Sequence, residues 1–334
     1  MKYFTIFTFL AIAALLSACG GSAPAASGAA QIDPAALCVS SSCGTKTVLL
    51  PIPNAENTLF TPDGRLFVSG SSNVYEVTQN ATADPAGFQA TPIYNGSCNF
   101  TGMAQRGDVL YATCEDLNLY ATRLDAGTPA LQPIHALTGM ASPNGVTLGP
   151  GGEMYITDGP ISESGLPNPQ IVRLEFDPND PMTVTQQTSW LTQDVGFPNG
   201  LTHSGSTLYF TDTSLAPLGL ATVNTVQILP DGSPGPVLVF ASIDTSVPDD
   251  LCVVGGDVVL ALYSEGAIAL IGGDGQVLSQ TDPLSFELPS SVKLGQPPMF
   301  QPTDLVVTEK GVVGVPQTGP LFGNDLAVFR PNIQ

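Results

Sequence analysis

Oxygen-bearing side chains recur at one place in a short motif that repeats along this chain. The motif reads Pro-Asn-Gly-Val at 143–146, Pro-Asn-Gly-Leu at 198–201, Pro-Asp-Asp-Leu at 248–251 and Pro-Thr-Asp-Leu at 302–305. A repeat of this period is typical of stacked or circular arrays, in which equivalent positions lie near one another. We therefore expect these amide and carboxylate oxygens, which can bind cations, to gather in one region of the fold.

The elements that position them are short strands. Each apolar run follows a turn rich in Gly, Pro, Asn or Asp, and no long stretch keeps a helical period. The runs lie at 65–68, 109–112, 153–156, 207–210, 258–261 and 311–314. This pattern predicts an all-β chain, with the repeated motifs in the turns.

The spacing of the motifs predicts six blades. The positions taken as equivalent recur every 43–55 residues; a four-stranded propeller blade needs about 40–50 residues, and loops take up the excess. These positions are Glu56, Thr101, Asn144, Asn199, Asp249 and Thr303. The prediction is a six-bladed β-propeller of four-stranded antiparallel blades, in which a spare strand at 46–50 completes the last blade and closes the ring. A two-domain sandwich is the alternative.

The N-terminus reads as a targeting segment. Lys2 precedes an apolar run at 3–16 that is shorter than the roughly 20 residues of a membrane span. The run ends in Leu16-Ser17-Ala18-Cys19, which resembles the bacterial lipobox. We expect a signal peptide at 1–18, a flexible tether at 19–45 that starts at a lipidated Cys19, and the propeller at 46–334. An ordinary cleaved signal is the alternative.

Composition limits the partners. The chain has 9 Lys and Arg against 29 Asp and Glu, a formal charge of −20, so its surface repels nucleic acid. It should attract cations, including divalent metals. We expect a monomer in the bacterial cell envelope, held through the anchor at the outer membrane or periplasmic face if the cell is Gram-negative. Cys38 with Cys43, and Cys98 with Cys114, are predicted disulfides of an oxidising compartment.

A family resemblance follows from the run at 56–68, Glu-Asn-Thr-Leu-Phe-Thr-Pro-Asp-Gly-Arg-Leu-Phe-Val, together with the Pro-Asn-Gly and Pro-Asp motifs. The chain resembles the SMP-30/gluconolactonase/LRE-like family of six-bladed propellers over about residues 50–330. That family is related to the paraoxonase and diisopropyl fluorophosphatase types.

The resemblance implies a divalent cation, usually calcium, in the central channel. By motif the ligands fall on Glu56, Asn199 and Asp249, with Asn144 near metal and substrate. Calcium prefers six to eight hard oxygen ligands, which distant blades can supply. Any one of these residues alone is an ordinary turn residue. The family arginine before the third-blade asparagine is replaced by Ser142, which makes a less polar lactone or ester as credible as a sugar lactone.

The implied function is a membrane-anchored, calcium-dependent hydrolase of small lactones or esters. The metal would polarise the carbonyl, Asp249 would act as ligand and base, and Asn144 as ligand or substrate-orienting amide. One alternative is a surface-tethered propeller that binds or scaffolds without chemistry. A strictosidine synthase-like enzyme is a second alternative; it would need a late-blade channel carboxylate, for which Asp304 is the candidate.

Overall fold

The computed structural model describes residues 32–80, 87–159, 168–215, 218–244, 246–312 and 323–332. The predicted signal peptide and Cys19 lie outside these ranges. The described chain is built almost entirely from β-strands, with two 3-10 turns at Pro34–Ala36 and Tyr263–Glu265. In chain order the strands are β1 (Gly44–Pro51), β2 (Thr58–Phe60), β3 (Leu66–Ser69), β4 (Val74–Asn80), β5 (Gly87–Pro92), β6 (Phe100–Arg106), β7 (Val109–Cys114), β8 (Asn118–Arg123), β9 (Gln132–Ala136), β10 (Pro143–Leu148), β11 (Met154–Asp158), β12 (Gln170–Phe176), β13 (Val184–Leu191), β14 (Pro198–Ser204), β15 (Thr207–Leu215), β16 (Leu218–Ile228), β17 (Pro234–Asp244), β18 (Pro248–Val254), β19 (Asp257–Leu262), β20 (Ala267–Ile271), β21 (Val277–Gln280), β22 (Pro289–Leu294), β23 (Leu305–Glu309) and β24 (Asp325–Pro331).

These strands form six antiparallel sheets of four, which confirms the predicted six-bladed β-propeller. Five blades use consecutive strands, from β2–β5 to β18–β21. The sixth has the order β1-β24-β23-β22, so that β1 supplies its outer strand. The first strands of the blades, β2, β6, β10, β14, β18 and β22, contact one another in a ring around the channel.

The core lies between blades. Six buried hydrophobic clusters each join two neighbouring sheets; one, for example, packs Tyr111 of the second blade with Met154 and Val172 of the third. The other clusters repeat this arrangement around the ring. Burial of both sheet faces explains why the strands read as continuous apolar runs rather than as alternating ones.

The predicted register of the sixth blade is wrong. Leu305 begins β23, the second strand of that blade, and Thr303 lies in the turn before it. The Asp304 carboxylate closes this turn by accepting the Gln301 N–H at 2.9 Å. The innermost strand is β22, so Ser290, in the sequence Pro-Ser-Ser-Val at 289–292, holds the position assigned to Thr303. The sequence Pro-Thr-Asp-Leu at 302–305 resembles the motif because Asp304 stabilises a turn, and not because it opens an innermost strand.

The predicted tether is too long at its C-terminal end. Leu37 and Val39 are buried in the cluster between the fifth and sixth blades, and Ser41 accepts the Asp282 N–H at 2.8 Å. Hydrophobic burial thus binds the end of the 19–45 segment to the propeller.

Two disulfides join pairs of described cysteines. One joins Cys38 to Cys43 near the N-terminal strand, and the other joins Cys98 to Cys114 in the second blade. No helix in the described ranges is long and apolar enough to span a membrane.

Candidate functional site in the central channel

The motif residues at 143–146, 198–201 and 248–251 lie in β-bulges at the start of the innermost strands, where the sequence predicted turns; the fourth motif, at 302–305, begins in a turn as predicted. In the third blade Asn144 and Gly145 together oppose one residue of the next strand, Thr157. The second, fourth, fifth and sixth blades have the same kind of register shift. Pro is tolerated as the first residue of a strand, and a bulge redirects side chains out of the regular ladder. Each bulge therefore turns oxygen-bearing side chains out of the regular ladder.

Hydroxyl groups on the second strands connect five of the six blades to the next one. Thr157 accepts the Gly145 N–H at 2.8 Å and donates to the Asn199 carbonyl at 2.5 Å. In the next blade Thr211 accepts the Gly200 N–H and donates to the Asp249 carbonyl at 2.7 Å. Equivalent hydroxyls on Ser69, Thr113 and Thr308 donate to Thr101, Asn144 and Glu56.

The glycines of the motif are required by close approach rather than by an unusual φ angle. A Cβ on Gly145 would clash with the Asn199 carbonyl, and a Cβ on Gly200 would clash with the Asp249 carbonyl. Gly102 approaches the Asn144 carbonyl in the same way. Only glycine lets neighbouring inner strands come this near.

Buried carboxylates fix the segments that lead into the bulges. The Asp158 side chain accepts the N–H groups of Ala141 and Ser142 at 2.9 and 2.7 Å, just before Asn144. Asp212 accepts the N–H groups of Gly196 and Phe197 in the same manner. These bonds satisfy backbone donors that would otherwise be buried without a partner.

Three of the four predicted metal ligands come together in the channel. Glu56, Asn199 and Asp249 are at most 8% exposed. The Glu56 carboxylate interacts electrostatically with Asp249, and the Asn199 side chain lies near enough to Asp249 to lower its pKa slightly against the effect of burial. Asn144 is half-buried one blade away, beside the strand that holds Asn199.

A lysine that sequence reasoning missed lies in the same cluster. Lys310 directly follows β23, and its Nζ forms an ion pair with Oε2 of Glu56. Lys310 also interacts electrostatically with Asp249. The cluster therefore holds two carboxylates, one amide and one ammonium group. Glu115 contributes further negative charge beside Glu56.

Burial controls the protonation of these groups. Loss of solvent raises the pKa of Asp249 well above its ordinary value, and the nearby Glu56 carboxylate raises it further. Burial also raises the pKa of Glu56, against the opposing effect of Lys310. For Lys310 burial alone would lower the pKa, but Glu56 and Asp249 outweigh it and raise the pKa above the usual lysine value.

The donor set fits a hard cation. Two carboxylates and an amide carbonyl are the oxygen ligands that calcium prefers. The Oδ1 atom of Asn199 is buried and has no hydrogen-bond partner in the described structure, which is costly unless an additional group binds there. The one described group of three ionisable candidate ligands, Cys98, Cys114 and Asp116, is unsuitable because its two sulfur atoms form a disulfide.

A sequence signal for the missed residues exists where the second strands pair with the start of the innermost strands. Thr-Cys-Glu at 113–115, Thr-Asp-Gly at 157–159, Thr-Asp-Thr at 211–213 and Thr-Glu-Lys at 308–310 form a second repeat. The threonine at its first position forms the hydrogen bond to the next blade. Its third position is Glu115 in one copy and Lys310 in another. Aligning this repeat with the Pro-Asn-Gly repeat would have placed both charges beside the channel.

Comparison with solved structures supports the fold. A gluconolactonase from Xanthomonas campestris matches with a TM-score of 0.62 and 17% identity, over 86% of this chain and 90% of that chain. A calcium-binding protein, regucalcin, from Agrobacterium tumefaciens matches with a TM-score of 0.57 and 18% identity, over 84% and 90%. This chain has their fold. The resemblance drawn from the sequence is thereby confirmed for the architecture.

The same fold carries other chemistry. A PQQ-bound aldose sugar dehydrogenase from Streptomyces coelicolor matches with a TM-score of 0.57 and 16% identity, over 86% of this chain and 97% of that chain. No family model and no curated protein matches the sequence. Identities this low establish the fold alone, so function must be argued from the channel residues.

Proposed function

We propose that this protein is a hydrolase of small lactones or esters that reacts at the Glu56–Asn199–Asp249 cluster and uses calcium. The observation that carries the proposal is the unpartnered, buried Oδ1 of Asn199 beside two buried carboxylates. The gluconolactonase and calcium-binding protein that share the fold agree with this assignment.

Glu56, Asn199 and Asp249 would hold the cation. When bound, calcium supplies a Lewis acid that stabilises negative charge on a carbonyl oxygen. The Asp249 carboxylate takes the proton of the attacking water, because a carboxylate with a raised pKa is a stronger base once ionised. The half-buried Asn144 amide, which lies one blade away, donates a hydrogen bond that orients the substrate.

The test is a hydrolysis screen over lactones, aryl esters and phosphotriesters, with added calcium or with a chelator. The wild type should hydrolyse a lactone or ester, lose this activity with the chelator, and lose at least a hundredfold in kcat in Asp249→Ala. Asp282→Ala, which removes an exposed carboxylate, should behave as wild type. Calcium-independent turnover that survives Asp249→Ala would refute the mechanism.

A binding propeller without chemistry is the second candidate. The observation that favours it is the ion pair between Glu56 and Lys310, which engages a predicted metal ligand. Absence of turnover on every substrate class, together with retained ligand binding, would support it. The strictosidine synthase-like alternative loses its candidate residue, because Asp304 is bonded within a turn and to Arg330.

We also propose that the mature chain is anchored to a bacterial membrane by lipid on Cys19. The support is the run Leu16-Ser17-Ala18-Cys19 after an apolar segment. Detergent phase partitioning should place the wild type and Ser22→Ala in the detergent phase, and Cys19→Ala in the aqueous phase. Equal partitioning of wild type and Cys19→Ala would contradict lipidation.

A further inference from the structure

We propose that the Lys310 ammonium group and a divalent cation compete for one position in the channel. Lys310 would be the internal cation of the metal-free protein, and a metal ion would have to displace it from Glu56. This inference rests on the metal site of the proposed function, and it concerns how that site is regulated.

The first support is the geometry of the ion pair. Lys310 Nζ contacts Oε2 of Glu56, and their side chains are 11% and 4% exposed. The ammonium group also interacts electrostatically with Asp249. It therefore interacts with both carboxylates that a cation would use, and a divalent ion placed there would be repelled by it.

The second support is that the lysine leaves the cluster incomplete. An ammonium group carries three donors, yet the buried Oδ1 of Asn199 still lacks a partner in the described structure. A purely structural ion pair gives no reason to keep this acceptor unsatisfied. A cation with a larger coordination number would use it as well as Glu56 and Asp249.

The third support is that the backbone at the lysine is held by hydrogen bonds. The Lys310 N–H donates to the Leu288 carbonyl at 3.1 Å, and the Tyr263 hydroxyl donates to the Gly311 carbonyl at 2.6 Å. Displacement of the ammonium group therefore needs only a rotation of the long lysine side chain, which has several rotatable bonds.

The experiment is calorimetric titration of the metal-free full chain with calcium chloride. Lys310→Met should lower the Kd for calcium at least tenfold, because it removes the competing charge and keeps much of the side-chain volume; tenfold corresponds to about 1.4 kcal/mol. Lys310→Arg, which keeps the charge, should bind calcium no more tightly than wild type.

Lys293→Met is the matched control. Lys293 also forms an ion pair with a buried carboxylate, Asp250 at 2.6 Å, in the neighbouring sequence position to Asp249. If Lys310 is the residue that competes with calcium, Lys293→Met should bind calcium with an affinity within about threefold of the wild type. A similar gain in Lys293→Met would show a general charge effect and overturn the proposal.

Removing Lys310 leaves Glu56 buried without its partner, which can destabilise the fold. The melting temperature with and without calcium is therefore a second measurement. Calcium should then raise the Tm of Lys310→Met more than that of the wild type. Unchanged or weaker binding in Lys310→Met and Lys310→Gln, with no larger rise in Tm, would refute competition. Tight calcium binding in Lys310→Met without hydrolysis in any variant would refute the hydrolase and leave the competition standing.

Discussion

The Thr157 hydroxyl donates a hydrogen bond to the Asn199 carbonyl oxygen at 2.5 Å, across the boundary between the third and fourth blades. Thr157 also accepts the Gly145 N–H at 2.8 Å. One side chain therefore sets the position of two consecutive motif residues. The fifth blade has Ala261 in the equivalent place, opposite its bulge, so the series of hydroxyl links is interrupted before the sixth blade.

Replacing Thr157 by Val should lower the free energy of unfolding by about 1–3 kcal/mol, because it leaves a buried N–H and a buried carbonyl without their partner. Calcium affinity should fall as well, since Asn199 loses its support. Denaturant unfolding and calcium titration measure the two effects. Thr225→Val, at an exposed hydroxyl, is the control; an equal loss in both variants would contradict the proposed bridging role.

Gly145→Ala should destabilise the protein by about 1–3 kcal/mol through overpacking. The added Cβ would meet the Asn199 carbonyl and lie 2.7 Å from the Leu201 nitrogen. Gly127→Ala adds the same methyl group in open space and should be neutral or slightly stabilising. Thermal unfolding of both variants compares them, and a Gly145→Ala protein as stable as Gly127→Ala would show that the inner strands can separate freely.

Asp158→Ala should lower the free energy of unfolding by about 2–3 kcal/mol, because the N–H groups of Ala141 and Ser142 lose their buried acceptor. Asp231 accepts a backbone N–H from Ser233 in an exposed turn, so Asp231→Ala should cost less than about 0.5 kcal/mol. Chemical denaturation provides both values. Similar losses at the two positions would mean that the segment before Asn144 does not depend on the Asp158 carboxylate.

The stability contribution of Asp325 should depend on pH. Burial, together with the Glu309 and Glu287 carboxylates, raises the pKa of Asp325 to about 6, while Lys46 opposes this. A raised folded-state pKa means that the folded chain binds the proton more tightly than the unfolded chain. Ionised Asp325 therefore destabilises the fold above about pH 6, and this cost disappears as the pH falls below the unfolded value of 3.8.

Asp325→Asn should accordingly be more stable than wild type by about 1 kcal/mol at pH 8, a value reduced for solvent screening. The two proteins should unfold at the same temperature near pH 3.5. Calorimetry at both pH values tests this, with the exposed Asp282→Asn as control. A variant less stable than wild type at pH 8 would reverse the predicted sign.

The sequence predicted the blade count because the repeat period and apolar strands directly reflect the architecture. It misplaced the sixth-blade motif because Asp304 closes a turn with the same residue types that form a bulge elsewhere. Pro-Asn-Gly was assigned to turns because turns are its usual place; the glycine is needed instead for close packing between blades. Whether such a sequence forms a turn or a bulge depends on contacts with the neighbouring blade, and a local sequence pattern carries no information about those contacts.

Glu56, Asn199 and Asp249 could be located because each opens an inner strand in a regular repeat. Lys310 could not be found in the same way, since it follows the second strand of the sixth blade and not the innermost one. Its pairing with Glu56 joins positions far apart in sequence, and no spacing rule applies to them. The second repeat, beginning with Thr, is the feature that would have revealed it.

The pairing of β1 with β24 imposes an order on folding during synthesis. Residues 44–51 leave the ribosome early, but their partner strand at 325–331 emerges only after the other strands. The contacts among the first five blades can form while translation continues, whereas the final seam must wait for these last residues. Until then β1 has no partner, so the nascent chain exposes an unpaired edge that invites association with other chains.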